Sequence, residues 1–247
     1  MNTLDHNDEM KAYRNTFKVP IIKLDEFSYR HTEDTIIAEY PLSLVLNGKF
    51  ENTFLCTPTN LKELIIGYLL TKGCITSKED LISMVIDKEN KVVDVNIKDI
   101  ENINLDYNSI NSKSHIYVDH VYEIMESSLN HSKLFKDTGG VHSVAIFEGN
   151  KETISYEDVA RHNAMDKAIG HCILHNINFD NKAIAVSGRI SYEMLLKVAK
   201  AKIPIVISKS APTNLSVELA KKSNITLIGF VRGKRMNIYT HSYRVKI

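Results

Sequence analysis

The 247-residue chain is poor in the features that assign a sequence quickly to a class. Its three cysteines, Cys56, Cys74 and Cys172, are an odd number, lie far apart, and form neither a Cys-x-x-Cys pair nor a histidine cluster at zinc spacing. No disulfide framework or structural zinc site is indicated. No apolar run approaches the length of a membrane span, so no membrane association is expected. Residues 1–20 are too polar and too acidic for a signal peptide, and a cytoplasmic location is the expectation. There is no internal repeat and no low-complexity tract. A Walker loop and a Gly-x-Gly-x-x-Gly fingerprint are also missing, so no standard NTPase or dehydrogenase follows.

Net charge is close to absent as well, at +1, but the total conceals a split. From Arg189 to Ile247, twelve Lys and Arg face only two acids, Glu193 and Glu218; the preceding residues hold nineteen basic and twenty-eight acidic side chains. Such asymmetry points to an anionic ligand or nucleic acid on the basic part, or to pairing of opposite faces within or between subunits. Lys197, Lys200, Lys221 and Lys222 fit solvated helix faces. Lys209, Arg232, Lys234 and Arg235 do not, because they stand where apolar runs end.

Those runs are the most informative pattern present. Lys182–Val186, Ile203–Ile207 and Ile225–Val231 read as strands, and the segments Ser191–Lys202 and Thr213–Ser223 between them read as helices. Right-handed crossovers then bring three polar segments to the carboxyl edge of one parallel sheet. These are Ser187-Gly188-Arg189, Ser208 to Thr213, and Phe230 to Arg235. Ser191 and Thr213 are natural N-caps, so their hydroxyls can simply close helix ends. Together, two helix N-termini beside Arg189 and Lys209 also form a cradle for phosphate. Phe230-Val231-Arg232-Gly233-Lys234-Arg235 adds cations and a stacking aromatic, suited to a purine with a pyrophosphate.

Upstream, residues 1–19 read as a disordered leader and residues 20–104 as a smaller α+β portion. Pro20–Asp25 and Thr35–Phe54 alternate apolar and polar residues, with Asn47-Gly48 as a hairpin turn. Leu61–Thr71 reads as an amphipathic helix lying on a sheet, with Asn60 and Glu63 as a capping box and Gly73 as its stop. Strand candidates Ile82–Asp87 and Lys91–Ile97 follow. Glu101–His115 is rich in Asn and Ser and lacks periodicity, which marks a linker or mobile loop, placed at residues 105–116, ahead of an α/β domain at residues 117–247. Within that domain Val118–Leu129 reads as a helix with Lys133–Thr138 as its exit, and His142–Glu148 pairs with Glu152–Tyr156 across the Gly149-Asn150 turn.

The polar density of Tyr156 to Gly170 admits two readings. In one, Asn163, Asp166, Lys167 and Gly170 form a solvated helix face opposite Ala164, Ala168, Ile169, Cys172 and Ile173. In the other, Arg161, His162 and Asp166 face a pocket.

Four segments carry a family resemblance: Glu157 to Gly170, Ser187 to Glu193, Ser208 to Thr213, and Gly229 to Gly233. They closely resemble the formate dehydrogenase accessory proteins, the FdhD family, and the likeness continues through Thr138-Gly139-Gly140-Val141-His142, Pro41–Gly48, Thr57-Pro58 and Glu63–Ile75. The resemblance implies a cytidine-deaminase-like three-layer α/β sandwich with a mixed, partly parallel sheet. It also implies a role in maturing molybdenum or tungsten formate dehydrogenase. Family members take persulfide sulfur from a cysteine desulfurase and pass it to Mo-bis(molybdopterin guanine dinucleotide). The segment resembling the family's cofactor-binding stretch is Phe230, Val231, Arg232, Gly233, Lys234 and Arg235. Arg189, Lys209, Ser210 and His162 are further candidates for holding that cofactor or a guanine nucleotide. Formate dehydrogenase and a cysteine desulfurase are the implied partners, and a homodimer the implied assembly.

One departure is visible. The family's sulfur-carrying Cys-Gly-x-Cys-Gly-type loop falls near Asn108 to His115, and no cysteine stands there. A serine hydroxyl cannot replace a thiolate that must form a persulfide. Cys56, beside Thr57-Pro58, is the substitute candidate, although burial suits all three cysteines. The zinc-deaminase reading that the fold invites also lacks its ligands, because His162-Asn163-Ala164 has no glutamate and Ser210 to Thr213 no cysteines. The expectation is therefore a cofactor-binding chaperone without zinc. A basic nucleotide- or nucleic-acid-binding protein without sulfurtransferase activity is the alternative.

Overall fold

A computed structural model describes residues 14–98, 109–130 and 132–247. The first element begins inside the expected leader: β1 (Thr16–Leu24) pairs antiparallel with β2 (Tyr29–Ile37) as a two-stranded ribbon. Residues 1–13 are outside the description. The start of β2 was missed because Tyr29 to Asp34 is polar on both faces and gives no period-two signal.

A second unit is a four-stranded sheet in the order β4-β3-β6-β5, built from β3 (Tyr40–Leu46), β4 (Lys49–Cys56), β5 (Leu81–Asp87) and β6 (Val92–Ile97). Its β3–β4 turn is the Asn47-Gly48 hairpin. Both residues have positive φ, 47° and 75°, the backbone a two-residue turn needs to match strand twist. Helix α1 (Leu61–Lys72) follows, stopped by Gly73 at φ 85° as expected. Its N-terminus differs from expectation. Asn60 is left-handed at φ 56° and makes no side-chain cap, so the Asn60–Glu63 capping box does not form.

The main sheet has six strands in the order β13-β12-β11-β10-β8-β9. Its members are β8 (His142–Glu148), β9 (Lys151–Asp158), β10 (Lys182–Val186), β11 (Ile205–Ser208), β12 (Thr226–Arg232) and β13 (Arg235–Ile238). β10, β11 and β12 are parallel as expected, β8 and β13 flank them antiparallel, and β9 pairs antiparallel with β8. The crossovers are α5 (Tyr192–Lys200) and α6 (Asn214–Lys222), capped by Ser191 and Thr213. Also present are α2 (Val118–Asn130), α3 (Lys133–Thr138), α4 (Arg161–Leu174), and a short parallel pair, β7 (Ile116–Tyr117) with β14 (Val245–Lys246). α3 is a helix in its own right, N-capped by Ser132, rather than the tail of α2.

Period-two alternation assigns the sheet's faces. Val144, Ile146, Ile184, Val186, Val206 and Leu227 join the core beneath α4, α5 and α6. Their neighbours Ala145, Phe147, Ala183, Ala185, Ile205, Ile207 and Ile228 pack against Val121, Ile124 and Met125 of α2 on the other face. This is the mixed, partly parallel α/β sandwich that the sequence implied.

The N-terminal portion is bonded to this sandwich rather than resting beside it. α1 is buried nearly all round, with nine buried residues between the small sheet and α4, so it is not the half-exposed amphipathic helix its pattern suggested. The two helices cross at glycines. A Cβ on Gly67 would overlap the backbone carbonyl of Asp166, and one on Gly170 would overlap that of Glu63. α4 is equally enclosed: every residue from Asn163 to Gly170 is buried, which removes the solvated-face reading.

Of the expected loop, residues 105–108 are outside the description. Ile110 is buried, its N–H bonds Ser223 O at 2.9 Å, and the hydroxyls of Ser112 and Ser114 bond Asp180 O at 2.6 and 2.8 Å.

Candidate functional site

The strand exits meet because the chain stitches them together. Ser187 N–H bonds Ser143 O and Ser143 N–H bonds Ser187 Oγ, both at 3.0 Å, which locks β10 to β8. Lys209 N–H bonds Val186 O at 3.2 Å, and Ser208 Oγ bonds Gly188 O at 2.8 Å, so β11 is tied to β10. Phe230 N–H then reaches Ser210 O at 3.1 Å, and Arg232 Nε reaches Lys209 O at 3.4 Å. The result is one polar edge crossing β8, β10, β11 and β12. Three strand spacings make it about 14 Å long.

Phe230 marks a special backbone on this edge. It has φ 54° without being glycine, and the β12–β13 register shifts between Gly229 and Arg232. Such a bulge re-aims a side chain and recurs beside functional sites. The half-exposed Phe230 ring therefore stands by the hairpin that carries the exposed Arg232, Gly233, Lys234 and Arg235, while Val231 is buried in the core under α2. Ser191 Oγ accepts Met194 N–H, and Thr213 and Ser216 cap each other reciprocally, so the hydroxyls close helix ends.

At the β8 end lies a cavity of about 320 Å³ that sequence reasoning did not single out. His142, Ser143, Ser187 and Lys209 supply its polar wall, and Phe135 with the Gly139-Gly140 turn its other side. Ser132 holds that side in place, since its hydroxyl donates to Glu157 on β9 while also capping α3. A Cβ at Gly188 would come within 3.2 Å of His142 Nδ1 and 3.6 Å of Arg161 Cδ, so glycine lets both side chains fold over the β10 exit. Burial first, and then the Arg161 charge, hold His142 below the usual imidazole range. The available signal was the Thr138 to His142 segment, which reads locally as a plain turn.

The candidate residues divide. Lys209 lines this cavity, Arg189 and Ser210 sit on the adjoining exits, and the Phe230–Arg235 hairpin lies one strand beyond Ser210. His162 lines a different cavity with Asp166, its Nε2 lying 3.8 Å from Glu193. Burial and the Arg161 charge lower its pKa too. Asp166 is only 2 % exposed and binds Lys197 Nζ through both oxygens at 2.7 Å. Lys197 is thus a half-buried partner of Asp166 rather than part of a solvated face, and Lys200 likewise bonds Thr71 O at 2.7 Å.

Beneath α4, a second charge cluster is wholly buried. Lys167 Nζ lies 2.6 Å from Asp158 Oδ2, with both side chains at 0 % exposure. Asp158 also accepts from Thr57 N and Oγ1, Ala160 N and Asn163 Nδ2. Every oxygen is satisfied, as a buried carboxylate requires.

The cysteines are not arranged for nucleophilic work. Cys56 is fully buried, its Sγ donates to Tyr40 O at 3.4 Å, and burial pushes its thiol up to about 12. Cys172 is likewise buried and pushed up to about 12. Cys74 is the more accessible thiol of the three. Its pKa is raised too, by burial and then by Glu51. Among the described residues no group of His, Cys, Asp and Glu could hold a metal ion.

The fold is that of a mixed α/β protein with a polar edge made of strand exits, backbone amides and cations. The chain belongs to the FdhD/NarQ family, whose sequence profile matches residues 37–114 and 98–246. Among curated relatives, it is 34 % identical to the sulfur carrier protein FdhD of Bacillus subtilis (strain 168), over 97 % of this chain and 99 % of that protein. It is 36 % identical to the protein of the same name from Staphylococcus haemolyticus (strain JCSC1435), over 92 % of this chain and 95 % of that one. A crystal structure of a putative formate dehydrogenase accessory protein from Desulfotalea psychrophila shares the fold. Its TM-score is 0.85 at 24 % identity, covering 94 % of this chain and all of that one. No helix among the described residues is long and apolar enough to cross a membrane.

Proposed function

We propose that this chain is a maturation factor for formate dehydrogenase that holds Mo-bis(molybdopterin guanine dinucleotide) at the strand-exit edge and supports its delivery to the enzyme. The observation that carries this reading is the continuous edge from His142 through Ser187 and Lys209 to Arg232. The group fits the residues present: an edge about 14 Å long spans a diphosphate and a ring system, and its cations meet the charge of the first. Lys209 and Arg232 bind phosphate oxygens. Phe230, turned outward by the bulge, stacks on a ring, and His142 with Ser187 orients polar groups inside the cavity. When bound, the cofactor supplies the metal and dithiolene chemistry used by the client enzyme.

Sulfur transfer through this chain needs a thiolate acceptor. Asn108 to His115 contains none, the thiols of Cys56 and Cys172 are closed off, and burial and then Glu51 hold the more accessible Cys74 thiol in its protonated form. The role is therefore that of a cofactor holder, with formate dehydrogenase and a cysteine desulfurase as partners and a homodimer as the assembly. Calorimetric titration with GDP tests the edge. The wild-type chain binds, and Lys209→Ala with Arg232→Ala weakens binding about tenfold or more, as loss of charge-assisted hydrogen bonds requires. A chain that binds neither GDP nor molybdenum cofactor sinks the proposal.

A further inference from the structure

The small sheet ends on β4, which pairs with β3 alone among the described residues. Beside it lies a cavity of about 630 Å³, touched by four consecutive residues, Asn52, Thr53, Phe54 and Leu55. Successive strand residues point to opposite faces. A space that meets all four therefore lies along the strand's backbone edge, not over one face. Asn163 already uses this edge, its Nδ2 donating to Leu55 O at 2.7 Å.

The facing wall is cationic. Lys72 of α1 and Lys197 and Lys200 of α5 line it, and burial first, then the charges of Lys197 and Lys72, depress Lys200. The carboxylate among them, Asp166, is occupied by Lys197. Glu193, the other acid of the cavity, sits beside His162. On the outer face of β4, Phe50 and Leu55 are 69 % and 52 % exposed.

We propose that the free edge of β4 is a docking site for an extended acidic segment of a partner protein, which adds as a fifth strand. Alternate side chains of that segment set carboxylates against Lys72 and Lys200, and the intervening ones lie beside Phe50 and Leu55. Charge complementarity selects this occupant, because a basic segment would add to an existing crowd of ammonium groups. The inference does not depend on the cofactor reading.

The test titrates the full chain with the capped peptide acetyl-Glu-Val-Glu-Val-Glu-Val-amide and with its Lys-Val counterpart, following binding by calorimetry and β4 by amide hydrogen exchange. The acidic peptide binds more weakly as salt rises, slows exchange within residues 50–54, and loses about threefold in affinity with each of Lys72→Gln and Lys200→Gln. Lys200 also holds Thr71 O, so its variant is first checked by thermal unfolding, and Lys72→Gln carries the test if that variant is unfolded. No binding at millimolar peptide, equal binding of the Lys-Val peptide, or binding without protection of β4 overturns the proposal. Concentration-dependent protection of β4 without peptide also overturns it and assigns the edge to a second copy of this chain. Each of these leaves GDP binding at the strand exits unaffected, so the two readings fail separately.

Discussion

Replacing Lys167 with methionine removes one half of a fully buried ion pair and leaves Asp158 with a charge that nothing else neutralises. The pair is 2.6 Å long, and neither side chain reaches solvent. Lys167 also donates to Thr57 Oγ1 at 2.6 Å, and Thr57 belongs to the segment that enters α1. The network thus joins the N-terminal portion to α4, and breaking it loosens a seam between two sheets. Removing one partner of such a pair costs about 3–5 kcal/mol, because the remaining charge keeps its desolvation penalty. Set against a total stability of about 5–15 kcal/mol, that is a large share. Urea denaturation followed by circular dichroism should show a midpoint lowered by more than about 1 M. Substituting both residues, Asp158→Asn with Lys167→Met, should recover part of the loss, because no uncompensated charge remains. A loss below about 1 kcal/mol for Lys167→Met would refute the view that this pair fastens the two portions.

Gly67→Ala and Gly170→Ala each force a methyl into the facing helix backbone, an overpacking cost of about 1–3 kcal/mol or more. Thermal melts should fall by several degrees for either, about 2–4 °C per kcal/mol at this chain length, and unchanged melts would contradict the close crossing. Native-state alkylation at neutral pH, read by mass spectrometry, should modify Cys74 first and reach Cys56 and Cys172 only on unfolding; rapid labelling of Cys56 would show that its burial is wrongly assigned. The folded-state pKa values of His142 and His162 lie below 6.5, so the unfolded chain binds protons first as pH falls. Stability should therefore be complete above about pH 6.5 and decline as pH falls below it, less steeply in His142→Gln. A midpoint that rises on acidification through that window would reverse the sign of this linkage.

Much of the fold was legible because it rests on local patterns. Apolar runs ending at Val186, Ile207 and Val231 marked β10, β11 and β12 to within a residue or two, and Ser191 and Thr213 marked the helices between them. Asn47-Gly48 and Gly73 announced a turn and a stop through backbone conformations that few other residues accept. The failures share a cause. α1 and α4 look amphipathic, α4 because Lys167, Asp166 and Asn163 are polar, yet tertiary packing encloses both helices and satisfies those three groups with Asp158, Lys197 and Leu55 O. Periodicity within one segment cannot report Lys197, 31 residues from Asp166, or Leu55, 108 residues from Asn163.

The strand-exit edge divides in the same way. The order of apolar runs and crossovers by itself determined that Ser187, Lys209 and Arg232 would stand on one side of a parallel sheet, since handedness leaves little choice. Sequence alone also determined that Asn108 to His115 has no thiol to offer. Only the tertiary structure decided that His142, from an antiparallel strand, completes the edge, that His162 turns to another cavity, and that Cys56 is sealed. Those outcomes depend on which strand lies beside β10 and which helix lies over each side chain, and such contacts exist only once distant segments have packed.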